Sequence, residues 1–205
     1  MELKQALAEL RKQEKKKFDQ SIDFIVNLKG IDVKKDNIST IVTIPNKIKD
    51  KKICGFLTKQ TSLVKTITQP EFARYKDKKP LKELVKEYDF FIAVPTLMPQ
   101  VATAFGKALG PTGKMPSPQL GVVMKEEDAV IKALIEKINH SIKIRVKEAS
   151  IKVSIGKESM ADDKLIANIE ALYAGIVAAL PTKKENVKSL MLKTTMGAPI
   201  KLEIK

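Results

Sequence analysis

The segment Gly106–Pro116, GKALGPTGKMP, is the first place to look for chemistry, because a glycine-rich turn beside a lysine is a common phosphate cradle. A Walker loop requires Gly six residues before Lys114 and Ser or Thr after it, but Ala108 and Met115 hold those places. A dinucleotide fingerprint requires Gly at position 112, which is Thr. Paired carboxylates stand at Glu126-Glu127 and Asp162-Asp163. Both pairs fall at predicted helix starts, where the macrodipole favours negative charge. Cys54 lies in an apolar run and reads as a small core residue rather than a nucleophile. His140 follows a predicted helix and suits a charge-complementing place at its C-terminus. One Cys and one His allow no internal disulfide, no four-ligand zinc site and no Cys-His or Ser-His-Asp arrangement. The expectation is a non-enzyme, with no cofactor and no metal, from a reducing compartment.

The remaining chemistry is cationic. Lys and Arg number 38 against 24 Asp and Glu, a formal net charge of +14. Such a balance points to nucleic acid as partner, the alternative being a lysine-rich proteome bias. The excess is spread over both halves of the chain, so charge alone does not locate a site. Arg11, Arg74 and Arg145 are the only arginines. Lysine is a point charge suited to phosphate, whereas base edges are often read by the planar Arg fork. Affinity is therefore expected to be largely electrostatic, with specificity from the shape of the nucleic acid and a few close backbone contacts. No apolar run reaches membrane-spanning length, and the first residues lack the apolar stretch of a signal peptide.

Periodicity predicts the elements that must position these groups. Leu3, Ala6, Leu7 and Leu10 have helical spacing within 2–16, and Ile22, Phe24, Val26 and Leu28 alternate as a half-buried strand over 21–28. Strands follow at 38–44 and 53–57, with a polar turn region at 30–37. In the middle, helices at 81–88, 98–109 and 128–139 surround the strand DFFIAV at 89–94, and 110–121 reads as a long ordered loop. Strands at 141–146 and 150–155, the long helix 162–180, and strands at 189–193 and 200–204 complete the chain. The two ends look alike and the middle differs. The fold class is two-domain α/β: an α+β domain from both termini (1–51 and 148–205) with a Rossmann-like three-layer α/β domain (52–147) inserted. Chain crossings near Lys51 and Lys147 would act as a double hinge.

Four stretches in order carry a resemblance: KKFDQSIDFIVNLKGIDVKKDN at 16–37, LGPTGKMPSPQLGVV at 109–123, IGKESMADDKLIANI at 155–169, and KTTMGAPIKLEI at 193–204. Together they resemble the L-one family, the large-subunit ribosomal protein of the mobile stalk, in its archaeal form. The last turn reads Gly-Ala-Pro where many relatives have Gly-Pro. The resemblance implies a split β-α-β terminal-halves domain that grips ribosomal RNA, an inserted Rossmann-like domain, and a two-strand hinge. It further implies a cytoplasmic protein of the large subunit, monomeric when free. Its partners would be stalk ribosomal RNA, exit-site transfer RNA whose release it assists, and its own messenger RNA, which it would repress.

The same resemblance marks Thr194, Thr195, Met196 and Gly197 as the RNA-binding turn. There Gly197 would allow close backbone approach and φ > 0, Thr195 would meet a 2′-hydroxyl, and Met196 would offer a pliable apolar surface. An ordinary strand-to-strand turn is the other reading. Phe18 could stack on a base or pack in a core, with Lys17 and Ser21 reaching phosphate and ribose. Gly156, Lys157 and Ser159 precede the long helix, where free N–H groups could hold an anion or Ser159 could simply cap. The Gly110–Pro118 loop would lie near transfer RNA or ribosomal RNA. A Rossmann-like hydrolase or nucleotide-dependent protein using the Gly110–Gly113 turn, and a general basic nucleic-acid protein, are the rival classes.

Overall fold

The computed structural model describes residues 2–13, 17–31, 38–75, 77–118, 120–124, 126–146 and 148–203. The expected turn over 30–37, the crossing at Lys147 and the chain end at Ile204 therefore lie partly or wholly outside the described residues. The chain divides into two compact units, one from residues 1–49 and 140–205 and the other from 50–139.

In the unit formed by both termini, β1 (Ser21–Leu28) is flanked by β7 (Ser150–Lys157) and β8 (Val187–Thr194), both antiparallel, and β8 continues into β9 (Ile200–Leu202). The alternation foreseen in β1 is realised: Ile22, Phe24, Val26 and Leu28 are buried. They share one core with Ala6, Leu7 and Leu10 of α1 (Leu3–Lys12) and with Leu165, Ile169, Leu172 and Ile176 of α5 (Asp162–Ala179). A separate two-stranded ladder pairs β2 (Ser39–Thr43) with β6 (Ser141–Arg145). α5 lies against β2 so closely that a Cβ on Gly175 would meet Val42 Cγ2 at 2.6 Å. Because β6 pairs with β2, the second boundary falls at 139/140 and not near Lys147.

In the other unit, β3 (Ile53–Phe56) is central between β4 (Lys65–Ile67) and β5 (Phe90–Ala93), all parallel. One face of this sheet shares a core with α2 (Lys78–Glu87) and α3 (Met98–Thr112), centred on Phe56, Phe72, Phe91 and Phe105. Phe56 stacks on Phe91 with centroids 5.7 Å apart and meets Phe72 edge-on at 5.8 Å. Ile53 and Ile92 point the other way by the period of two and are also buried, as are Ile131 and Ile138 of α4 (Asp128–Asn139). A strand covered on both faces is what the continuous apolar run of β5 requires.

Three local readings are corrected. The glycine-proline segment is not wholly loop, because α3 runs through Gly110 and Pro111 to Thr112. Gly113 then takes φ +72° and Lys114 N donates to Leu109 O at 3.1 Å, the closing bond of a Schellman turn. Lys114 does not face a ligand, since its Nζ donates to Val85 O and Tyr88 O at 2.7 Å and so satisfies the end of α2. His140 does not complement α4. Its Nδ1 lies 3.2 Å from Ile44 O, and Lys51 Nζ instead donates to Ile138 O at 2.8 Å.

Candidate nucleic-acid interface

The register of the four-stranded sheet brings three remote segments to one place. Ser21 opens β1 opposite Lys157 at the end of β7, and Ile22 lies opposite Thr194 at the end of β8. The segments 17–21, 156–159 and 194–197 therefore meet where β1 begins. Their backbones interlock: Thr195 N donates to Ser21 O at 3.0 Å and Glu158 N to Gln20 O at 2.8 Å. Met196 N donates to Gln20 Oε1 at 3.2 Å.

Two large apolar side chains stand out from this interlock. Phe18 is 52% exposed and Met196 is 67% exposed, so Phe18 is not a core residue. An exposed ring and thioether are costly to leave in water and are available to stack on a base or cover a ribose. The Thr195 hydroxyl donates to Ser21 O at 3.2 Å, which leaves its lone pairs to accept from a 2′-hydroxyl. Lys17 and Lys157 are exposed cations at the same end.

Other candidates play different parts from those expected. Thr194 is buried and shapes the turn, accepting from Gly197 N through its carbonyl at 3.2 Å. Gly156 is also buried, and a Cβ there would meet Leu165 Cδ2 at 2.5 Å, so this glycine serves the packing of β7 on α5. Gly197 is required by space and not by dihedral: the positive-φ glycines of the described residues are Gly30 and Gly113. A Cβ on Gly197 would collide with Gln13 Oε1 and Thr194 Oγ1. Ser159 does not cap α5. The N-cap position is Ala161, and the first turn carries Asp162 and Asp163, with Asp162 Oδ1 held by Arg11 at 2.6 Å. The helix start is thus already neutralised and offers no anion site. Glu126 likewise does not serve a dipole, because its Oε1 accepts from Thr58 N at 2.6 Å and from Thr58 Oγ1 at 2.7 Å.

Sequence reasoning missed Asp19, Gln20 and Gln13. Asp19 Oδ1 accepts from Ser159 N at 3.1 Å, and Oδ2 accepts from Ser159 Oγ at 2.9 Å with Lys157 Nζ at 3.6 Å. The Ser159 hydroxyl, helped by the Ser159 amide and Lys157, holds the Asp19 carboxyl below its ordinary value. The signal available was an acid placed among cations inside a recognised motif; its partner lies 140 residues away. Gln20 is buried and orients the Met196 amide. Gln13, just after α1, donates from Nε2 to Ala198 O at 3.2 Å, while its Oε1 is buried without a hydrogen-bond partner.

Nothing in this arrangement supplies a nucleophile with a base. Among the described residues no three His, Cys, Asp or Glu side chains are grouped to hold a metal, and Cys54 is buried with its thiol pushed up to about 12 by burial. No described helix is long and apolar enough to cross a membrane.

Residues 10–198 match the Ribosomal protein L1p/L10e family. The chain is 35% identical to the large ribosomal subunit protein uL1 of Thermofilum pendens, over 98% of this chain and 90% of that protein. It is 30% identical to the protein of the same name from Nanoarchaeum equitans, over 94% and 95%. The corresponding protein of Methanothermobacter thermautotrophicus is 32% identical over 90% of each chain. Fold, motif order and similarity along nearly the whole length agree: this chain belongs to the Ribosomal protein L1p/L10e family, a family of ribosomal proteins and not of enzymes, in its archaeal form.

Proposed function

We propose that the protein is a cytoplasmic constituent of the large ribosomal subunit that grips ribosomal RNA at the mobile stalk through the unit built from both termini. The observation that carries this reading is the meeting of Phe18, Lys157, Thr195 and Met196 at one end of β1, brought there by three segments far apart in sequence. An exposed ring, an exposed thioether, hydroxyl acceptors and the exposed Lys17 together suit a ribose and phosphate surface with unstacked bases. Lys17 and Ser21 extend that surface along the start of β1.

Finer roles rest on the family. The inserted unit is reached by two chain crossings, which suits a hinge that lets the stalk swing as deacylated transfer RNA leaves the exit site. The same RNA surface would hold a mimic of the ribosomal site on the protein's own messenger and repress its translation. The deciding measurement is hydroxyl-radical footprinting on large-subunit ribosomal RNA, with affinity compared between the footprinted fragment and an unrelated duplex. A compact footprint and a preference of roughly a thousandfold are expected. Equal affinity for both RNAs would reduce the protein to a general polycation binder.

A further inference from the structure

The Asp19 carboxylate is out of place on a surface meant for phosphate. It sits on the segment that opens β1, next to exposed Phe18. Ser159 N, Ser159 Oγ and Lys157 Nζ converge on its two oxygens, at 3.1, 2.9 and 3.6 Å. Those three donors are an amide, a hydroxyl and an ammonium, the set that a phosphate oxygen would attract. With the carboxylate present, a phosphate brought to them meets a like charge at hydrogen-bond range.

We propose that Asp19 is a selectivity residue: it fills the anion position formed by Ser159 and Lys157, keeps phosphate out of it, and presents its remaining lone pairs to a donor group of RNA. This rests on the reading of the surface as an RNA site. An ionised carboxylate is acceptor-only, and a phosphodiester carries no donor. The groups of RNA that can satisfy Asp19 are a 2′-hydroxyl and the amino and imino N–H groups of exposed bases. The carboxylate converts a position that would accept any nucleic-acid backbone into one that accepts only a correctly placed donor. It also limits Lys157, which is held toward Asp19 and is not free to follow phosphates at random. Non-specific affinity is given up and discrimination is gained, which is how specificity is commonly built.

The test uses the full-length chain and Asp19→Asn, which keeps an acceptor for the Ser159 amide and removes the charge. Three probes are compared across a salt series: the footprinted ribosomal RNA fragment, an unrelated RNA duplex, and single-stranded DNA of matched length. Binding to the unrelated duplex and the DNA is expected to strengthen, with a salt slope steeper by roughly one unit as Lys157 becomes free to take a phosphate. Binding to the specific fragment is expected to weaken, so that the preference falls by roughly tenfold or more. Glu9→Gln, which removes an exposed carboxylate of α1, controls for charge alone and should leave the preference unchanged. The double variant Asp19→Asn/Lys157→Gln should lose the gain in non-specific binding. If Asp19→Asn melts far below the wild type, Asp19→Ser is read in the same way. Equal shifts on all three probes, or a shift matched by Glu9→Gln, would overturn the selectivity role. A wild-type protein that does not discriminate among the probes would overturn the RNA-site reading itself, and Asp19's role with it.

Discussion

Replacing Gly197 with alanine adds one methyl group at the point where the turn is tightest. That methyl would collide with Gln13 Oε1 and Thr194 Oγ1. Gln13 is the end of a flexible side chain and can withdraw, at the loss of its 3.2 Å bond to Ala198 O, a net cost of about 0.5–1.5 kcal/mol. Thr194 is buried in β8, so its hydroxyl must leave its rotamer well, for about 0.5–1.5 kcal/mol more. The folded state should therefore lose about 1–3 kcal/mol, too little to unfold a domain with an intact core. The effect on RNA should be larger, because the methyl thickens the backbone where a ribose would approach and the withdrawn Gln13 changes the rim. We expect a loss of roughly tenfold or more in affinity for the stalk RNA fragment, measured by filter binding at fixed salt, with Tm followed by scanning fluorimetry. Adding Gln13→Ala should recover stability without recovering RNA affinity. Affinity within about twofold of wild type, which falls inside the ordinary scatter of surface substitutions, would refute the assignment of Gly197 to the interface.

Four other outcomes are expected. The logarithm of the RNA association constant should fall linearly with the logarithm of salt concentration, at about 0.7–0.9 per phosphate neutralised, and a flat response would exclude a phosphate-dominated interface. Cys54, buried and with its thiol pushed up to about 12, should resist maleimide in the native protein and react fully in denaturant; rapid native labelling would contradict the packing of β3. The Asp19 carboxyl is held low in the folded state, so its stabilisation is present above the unfolded value of about 4 and is lost as pH falls through the folded one. The Tm gap between wild type and Asp19→Asn should thus close in acid, and a gap constant with pH would rule out the charge as its source. Gly175→Ala improves helix propensity yet should destabilise by about 1–3 kcal/mol, because the new methyl overlaps Val42; a rise in Tm would show that the close approach of α5 and β2 is wrong.

What could be read from the sequence followed the range of the cause. β1 and α4 were foreseen with their observed bounds because alternation and helical spacing are local properties of Ser21–Leu28 and Asp128–Asn139. The end of α3 was set too early because Gly110 and Pro111 read as breakers. A proline in a last turn gives up only one backbone bond, and Gly113 supplies the stop two residues later. β4 and the 3-10 turns at Gln69–Tyr75 went unread, being too short to show a period. The domain boundary was misplaced by one strand because the partner that claims β6 is β2, about a hundred residues upstream. Phe18, Lys157, Thr195 and Met196 were named from motifs, and the sheet register brings their segments together where β1 begins. Asp19 and Gln20 were not named, since their partners are set by the register of β1 against β7 and β8. For Gly197 the expected positive φ is not found; its neighbours, and not its dihedral, exclude a side chain.

The ladder of β2 and β6 has a consequence for how the chain folds. Its last rung pairs Thr43 with Ser141, and Ile44 N donates to His140 O at 2.7 Å, so two points about a hundred residues apart are neighbours. Closing so long a loop from a disordered chain costs about 3 kcal/mol more in entropy than closing a turn of a few residues. The intervening unit removes that cost when it folds by itself, because Lys51 N donates to Asn139 Oδ1 at 3.0 Å and brings its own two ends together. The effective contact order of the terminal unit then drops to that of a chain with a short connection at this point. Formation of the parallel sheet and its helices therefore shortens the effective loop that the flanking halves must close.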